Sequence, residues 1–246
     1  MKNYLNYSGL AVIPHRGGMQ EAPENTINSF EYSQAIGCNY IETDVQLSSD
    51  HVPYIFHDDN FERILGMDKS INSFSSEQID KLKIFKNFNV PRLDETLKKF
   101  PDLKFQIDFK TDEVVVPALN VIMENNAQDR VCIASFSSKR LKIVRDLYPE
   151  LCISMGPKEV FKALLASFGL YKKKIPGDCL QVSIYYYGIK LVTKRLIKWV
   201  HKNNLKIMVW TINDRNTFKK LIKLNVDGII TDKPMDLIKT LEAKNQ

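Results

Sequence analysis

Four histidines occur in 246 residues, so each imidazole that could move a proton can be inspected in turn. His201 stands late in a helical stretch between Lys198 and Lys202, where a role at a helix terminus suffices. His51 falls in a polar turn. His15 and His57 both stand where short apolar runs stop. His15 opens the stretch HRGGMQEAPENT with Arg16 beside it. That pairing suits an anion site with a proton-transfer group next to it, or simply a polar turn. A lone histidine at a strand end is more often structural than catalytic. Two that converge on a pair of carboxylates reverse that weighting.

The carboxylates are there to converge on. Glu42 and Asp44 in YIETDVQL are two apart, so on a strand they share one face. Asp108 in FQIDFK is a third acid at a strand end, with Lys110 on the same face. Buried like charges are costly unless a proton or a cation intervenes. Three carboxylates suit a hard divalent ion such as Mg2+ or Ca2+. Zinc usually recruits His or Cys, and the H-x-H pair common to metal-dependent barrel hydrolases is absent. An ion-pair network in which Lys110 or Arg16 neutralises the acids fits the spacing equally well. The four cysteines (Cys38, Cys132, Cys152 and Cys179) show no C-x-x-C spacing and read as reduced core thiols, not as a metal centre or a disulfide framework.

What must position these residues is an alternation of short apolar runs and helical-period stretches. The runs are Leu10–Pro14, Tyr40–Leu47, Pro53–Phe56, Phe105–Phe109, Arg130–Phe136, Leu151–Met155, Cys179–Ile184, Ile207–Ile212 and Gly228–Thr231. Amphipathic patterns between them include Thr26–Ile36, Ser137–Leu147, Thr193–His201 and Arg215–Leu224. Such alternation implies parallel strands with right-handed crossovers. Nine runs are one too many for a (β/α)8 barrel. No helix fits between the second and third, however, and SSDH there reads as a hairpin turn. Taking Pro53–Phe56 as an antiparallel return strand leaves eight. A turn centred on Ser49 and Asp50 also places position 57 opposite 42 and 43, so His57 is expected beside Glu42 and Asp44. The fold class is thus α/β: a (β/α)8 TIM barrel with a hairpin after its second strand. It is expected to form a single domain over residues 1–246, with a small insertion at about 58–92 that carries a helix in SSEQIDKLK, Ser76 near its cap.

A net charge of +6 and a pI near 9.0 favour an anionic partner or substrate. No arginine-rich stripe or recognition helix points to nucleic acid. No run of 18 apolar residues and no secretory h-region is present, so a cytosolic protein is expected. Peripheral contact with a membrane surface rests on KEVFKALLASFGLYKKK, which reads more simply as a barrel helix with a solvated basic end.

Taken in order, HRG (15–17), PENT (23–26), IETDVQLSSDHVPYIFHD (41–58), IDFK (107–110), VWTIND (209–214) and VDGIITDKP (226–234) resemble the glycerophosphodiester phosphodiesterases. The matches span residues 15 to 234, and the combination is specific although HRG alone is not. The resemblance implies a (β/α)8 barrel with a small insertion after its hairpin. It implies that Glu42, Asp44 and Asp108 hold one divalent cation, Mg2+ or Ca2+. It further implies that His15 and His57 form the acid–base pair and that Arg16 and Lys110 contact the phosphate. It favours Trp210 as a wall for the glycerol moiety over a core residue. Glu24 and Asn25 would brace the His15–Arg16 loop, while Asn25 or Thr26 caps the following helix and Gly37 ends it. The tyrosines of SIYYYGI would line an apolar entrance. Many members carry Glu where this chain has Asp108. Aspartate there resembles the branch acting on lysophospholipids and N-acyl phosphoethanolamine lipids. The implied reaction is metal-dependent hydrolysis of a small glycerophosphodiester or, alternatively, of a lysolipid in the manner of a lysophospholipase D. Competing readings are another barrel phosphodiesterase of the phospholipase C or D type, and a non-catalytic anion-binding barrel, against which two histidines, three acids and a lysine at strand ends argue.

Overall fold

A computed structural model describes residues 2–243. Its eight parallel strands are β1 (Ala11–Pro14), β2 (Tyr40–Leu47), β4 (Lys104–Phe109), β5 (Val131–Ala134), β6 (Cys152–Ile153), β7 (Cys179–Val182), β8 (Lys206–Val209) and β9 (Gly228–Thr231). A further strand, β3 (Pro53–Ile55), returns antiparallel to β2. Ladders join β2 through β6 and β7 through β9 to β1, and single bridges at His15–Glu42 and Ser154–Cys179 close the two seams into one barrel. The TIM-barrel expectation is met.

Eight helices wrap it: α1 (Ile27–Ala35), α2 (Leu93–Lys99), α3 (Val115–Glu124), α4 (Ser138–Leu147), α5 (Pro157–Ser167), α6 (Lys194–Lys202), α7 (Arg215–Leu224) and α8 (Pro234–Glu242). The first is started by a reciprocal cap: Thr26 Oγ1 accepts from the Ser29 N–H, and Ser29 Oγ accepts from the Thr26 N–H. Thr26, not Asn25, is therefore the cap. Gly37, at φ +88°, takes the chain out of α1. Several apolar runs outlast their strands, because a run continues past the last ladder bond into the barrel rim; Arg130–Phe136, for example, pairs only over Val131–Ala134.

Strand parity divides the core. On β2, Ile41, Val45 and Leu47 face the helices and pack with Phe30, Leu97 and Phe105. Tyr40, alternating with them, turns inward, where Ile13, Met208, Ile230 and three cysteines fill the barrel. The N-terminal segment closes the bottom. Tyr4 and Leu5 are buried, Tyr40 donates its hydroxyl to the Tyr4 carbonyl at 2.7 Å, and Lys206 reaches the Tyr7 carbonyl at 3.0 Å. With that end covered, the cavity among the described residues opens at the carboxyl ends of the strands.

The insertion is richer than the sequence suggested. It holds a two-stranded ribbon (Asn60–Phe61 with Met67–Ser70) around a one-turn helix, then a five-residue helix, Ser76–Asp80, capped by Ser75 rather than Ser76. Its own small core gathers Tyr54, Phe56, Phe61, Ile71 and Ile79. No described helix is long and apolar enough to cross a membrane.

The turn after β1 depends on Gly17, at φ +79°, where an added Cβ would lie 2.7 Å from Ser29 Cβ and 2.9 Å from the Phe30 ring. Helix α1 is packed too closely to yield. Gly17→Ala is expected to cost about 1–3 kcal/mol, read as a Tm lowered by at least roughly 2 °C. An unchanged Tm would show that this close packing is not required.

Candidate functional site

The first half of the site is a loop held in an unusual shape. Arg16 and Asn25 both adopt positive φ, +51° and +52°, and the Asn25 N–H donates to the Arg16 carbonyl at 2.9 Å. That bond draws PENT back against HRG. The Asn25 amide then donates to Asp44 Oδ2 at 3.0 Å and accepts from the Thr43 hydroxyl at 2.8 Å. Asn25 thus anchors the loop to β2. Glu24, buried, is held by Arg16 at 3.0 Å and by Arg63 of the insertion at 2.6 Å. Both residues therefore contact the His15–Arg16 loop, Asn25 through its backbone N–H and Glu24 through the Arg16 side chain.

The hairpin supplies the second half. Val45 pairs with Ile55 and Leu47 with Pro53, which sets position 57 across from 43. His57 lines the same cavity as His15, Glu42 and Asp44. Each imidazole has its own carboxylate. His15 Nδ1 lies 2.6 Å from Asp232 Oδ1, and His57 Nδ1 lies 2.7 Å from Asp58 Oδ1. Neither Nε2 makes a hydrogen bond among the described residues, and that of His15 lies 3.8 Å from Glu42 Oε2. Asp232 is itself held by the Asn213 amide at 2.6 Å, and Asp58 by Arg63 at 2.7 Å. Burial would lower the His15 pKa, but Glu42 and Asp232 more than offset it and the net shift is upward. Burial prevails at His57, with Lys110 adding to it against the pull of Asp44, and its pKa falls.

The three acids stand at the centre. Asp44 and Asp108 are register partners on β2 and β4, and Glu42 lies two residues earlier on β2. Lys110 sits between the two aspartates, 2.7 Å from an oxygen of each. Arg16 Nε lies 3.4 Å from Asp44 Oδ2. Burial raises Asp44, yet Lys110, His57 and Arg16 together hold it below its ordinary value. Glu42 is pushed up by burial and by Asp44. Asp108 is lifted to about 6 by burial, although Lys110 opposes the shift. Two of three carboxylates are therefore short of positive charge. Asp108 Oδ1 is moreover buried without a hydrogen-bond partner among the described residues. An all-oxygen donor set with an orphaned oxygen suits the chemistry of a hard divalent cation, although with Lys110 between the aspartates the three carboxylates do not all come within 4.8 Å of one another. The ion-pair network is present too, so the two readings of the spacing are not exclusive.

These groups floor a cavity of about 380 Å³ at the carboxyl ends of the strands, where barrel enzymes carry their sites. One end is polar, with His15, Arg16, Glu42, Asp44, His57, Asp108 and Lys110. The other is apolar, with Phe136, Met155, Val160, Phe161, Leu164 and Trp210. Trp210 meets Phe136 edge to face at 5.7 Å between ring centres, so it is a wall of the cavity. Of the SIYYYGI tyrosines only Tyr186 lines it; the segment forms a small hairpin, Tyr185–Tyr186 against Ile189–Lys190, whose alternation turns Tyr185 and Tyr187 outward.

Sequence reasoning did not single out Asp232, Asp58, Asn213 or Arg63. Three of these lie inside quoted motifs (TDKP, HD and TIND), and an acid or amide adjoining a strand end was the available signal. Arg63 lies in the insertion, where no spacing rule reaches. The thiols were also unforeseen as a group: Cys132, Cys152 and Cys179 come within 4.8 Å of one another under the cavity floor, all three reduced and buried. His201 bonds to Asp227 at 3.0 Å, away from the site.

The glycerophosphoryl diester phosphodiesterase family model matches residues 15–236. The chain belongs to this family. It is accordingly a phosphoric diester hydrolase. It is similar to a glycerophosphodiester phosphodiesterase of Caldanaerobacter subterraneus, 30% identical over 244 residues that cover 92% of this chain and 96% of the relative. A human lysophospholipase D is 23% identical, over 91% of this chain and 82% of its own. Among solved structures, an Oleispira antarctica phosphodiesterase in complex with the product sn-glycerol-3-phosphate shares the fold with a TM-score of 0.79, at 21% identity over 94% of this chain and 96% of that one.

Asp232→Asn keeps the shape of the His15 contact but removes the charge that fixes and supports the imidazole. It is expected to lower kcat by roughly 10²-fold with folding intact by circular dichroism. Activity within a factor of two of the parent would remove Asp232 from the site.

Proposed function

We propose that the chain hydrolyses glycerophosphodiesters to glycerol 3-phosphate and an alcohol, using His15 and His57 as the proton-transfer pair. The observation that carries this reading is the placing of two separately oriented imidazoles at one cavity end with three acids and two cations. In-line attack at phosphorus needs one group to take a proton from the nucleophile and another to give one to the departing alcohol. Histidine suits both tasks near neutral pH. Asp232 and Asp58 each hold an Nδ1, which leaves the opposite ring nitrogen for substrate. Arg16 and Lys110 neutralise the phosphoryl oxygens as charge grows on them. Glu42, Asp44 and Asp108 would hold one divalent cation, Mg2+ or Ca2+, which supplies Lewis-acid polarisation of a phosphoryl oxygen. Glu24 and Asn25 keep Arg16 and Asp44 in place.

A second reading is favoured by the apolar half of the cavity. A glycerophosphodiester with a small alcohol is polar throughout and leaves Phe161, Leu164 and Met155 without a partner. A lysophospholipid would lay its acyl chain there and its phosphate among the acids and histidines. Comparing turnover of glycerophosphocholine with that of lysophosphatidylcholine decides between the two.

His15→Ala and His57→Ala are each expected to lower kcat roughly 10²-fold or more. Near-parental turnover in either folded variant would sink the acid–base assignment. A chelator is expected to abolish turnover and Mg2+ or Ca2+ to restore it, whereas chelator-resistant hydrolysis would refute the cation. Detection of a cyclic glycerol phosphate before glycerol 3-phosphate would assign the attack to the substrate's own hydroxyl; its absence at early times would assign it to water.

A further inference from the structure

The lip of the cavity carries an unusual amount of exposed apolar surface. Phe136 is 64% exposed, Phe161 55%, Tyr186 42% and Ile189 51%, and all four also line the cavity. Beside them in the small hairpin, Tyr185 is 58% exposed and Tyr187 90%. These side chains come from three consecutive connections, those following β5, β6 and β7. The hairpin that carries the tyrosines pairs only with itself among the described residues. A clustered apolar rim around a cavity marks a surface that meets something.

Charge says what. Residues 156–205 contain ten Lys and Arg against two acids, a net of +8 in a chain whose total is +6. The remaining residues are therefore net negative, and the excess positive charge falls in the stretch that carries the connections after β6 and β7; Lys198 and Lys202, late in α6, lie toward the closed end of the barrel and take no part at the rim. Both acids are engaged: Glu159 accepts from the Ser138 hydroxyl, and Asp178 accepts from the Ile153 N–H. Lys158 and Lys162 of α5, Lys190 of the hairpin and Lys194 of α6 make no ion pair among the described residues.

We propose that this rim docks on an anionic lipid surface, with the tyrosine hairpin and Phe161 entering the interface and the lysines contacting headgroups. Aromatic tips with a polar end suit that boundary, and lysine stems keep their charge in the headgroup layer. Apolar and electrostatic anchoring together give firmer membrane binding than either alone. A lipid fits better than a protein because the rim opens into an apolar cavity continuous with the catalytic end, which a folded partner would cover. A second copy is disfavoured by the like charge both faces would present. The proposal rests on the diester-hydrolase reading of the cavity: docking would pass a single-chain lipid from the surface to the histidines.

Cosedimentation with vesicles of phosphatidylcholine, with and without phosphatidylglycerol, tests it. Binding is expected to be at least about tenfold tighter to the anionic vesicles and to weaken as salt is raised. The double variant Tyr185→Ser, Tyr187→Ser and the single variant Lys190→Glu should each lose about tenfold in vesicle affinity while turning over soluble glycerophosphocholine as the parent does. No binding to anionic vesicles, or binding that survives both variants, overturns the proposal. So does a dimer in sedimentation velocity that the same substitutions dissociate, which would assign the rim to a second copy. Absence of turnover of both glycerophosphocholine and lysophosphatidylcholine by the unaltered protein would strike the reading of the site, whereas the vesicle result alone decides the docking proposal.

Discussion

Asp44 and Asp108 face each other from neighbouring parallel strands inside a barrel that is closed at its other end, and much of the surrounding architecture answers that fact. Two like charges on register partners cannot both stay ionised in a dry interior without nearby cations. Lys110 reaches between them and holds Asp44 Oδ1, while Arg16 approaches Asp44 Oδ2 and the Asn25 amide donates to that same oxygen. To deliver Arg16 and Asn25 the chain accepts two positive φ angles and the tight Gly17 contact with α1. Glu24 then balances Arg16, and Arg63 balances Glu24. Strain, loop sequence and the arginine of the insertion all follow from one pair of acids. Asp108 keeps an oxygen with no partner, which is where the compensation stops and the case for a cation begins.

The hairpin is a second consequence of geometry rather than of local chemistry. A slip of one residue in the β2–β3 register would move every β3 side chain to the opposite face and displace the end of the strand that delivers His57 to the cavity. The register is fixed from the far side. Tyr54, on β3, bonds through its hydroxyl to Asp80 at 2.7 Å, and Arg92 holds Asp80 just before α2. The insertion therefore acts as a clamp with its own small core, set on the outer face of the return strand. Its helix and ribbon are too short to be stable alone; they persist because Tyr54 and Phe56 give them something to pack on.

Much of this was readable before the structure. Runs such as Tyr40–Leu47 and Gly228–Thr231 coincide with their strands, because burial on both faces leaves little choice of residue. Position 57 could be placed opposite 42 and 43 because a tight turn fixes the count. What escaped the sequence was of another kind. Asp232 meets His15 across 217 residues and Arg63 meets Glu24 across 39, and no periodicity encodes partners of that separation. The three cysteines looked independent because they lie on three different strands; parallel register at matching heights brings them together. The ribbon in the insertion was missed because strands of two and four residues, Asn60–Phe61 and Met67–Ser70, carry too little apolar alternation to detect.

The cavity's two halves come from different sectors of the barrel. β1, β2 and β4, with the hairpin, supply the histidines, the acids and the cations. The connections after β5, β6 and β7 supply Phe136, Val160, Phe161, Leu164 and Ile189. The proposed chemistry needs only the first sector, and that sector is locked by buried ion pairs which any change would leave uncompensated. The second is built from a loop, one face of α5 and a hairpin, and its outward side chains, Phe136, Phe161 and Ile189, are exposed, so these can change without disturbing the first. On the proposed chemistry, substrate choice between a small diester and a single-chain lipid would fall to the βα connections after β5, β6 and β7, physically separate from bond cleavage. The same separation explains why the sequence motifs speak to the reaction and say so little about the alcohol that leaves.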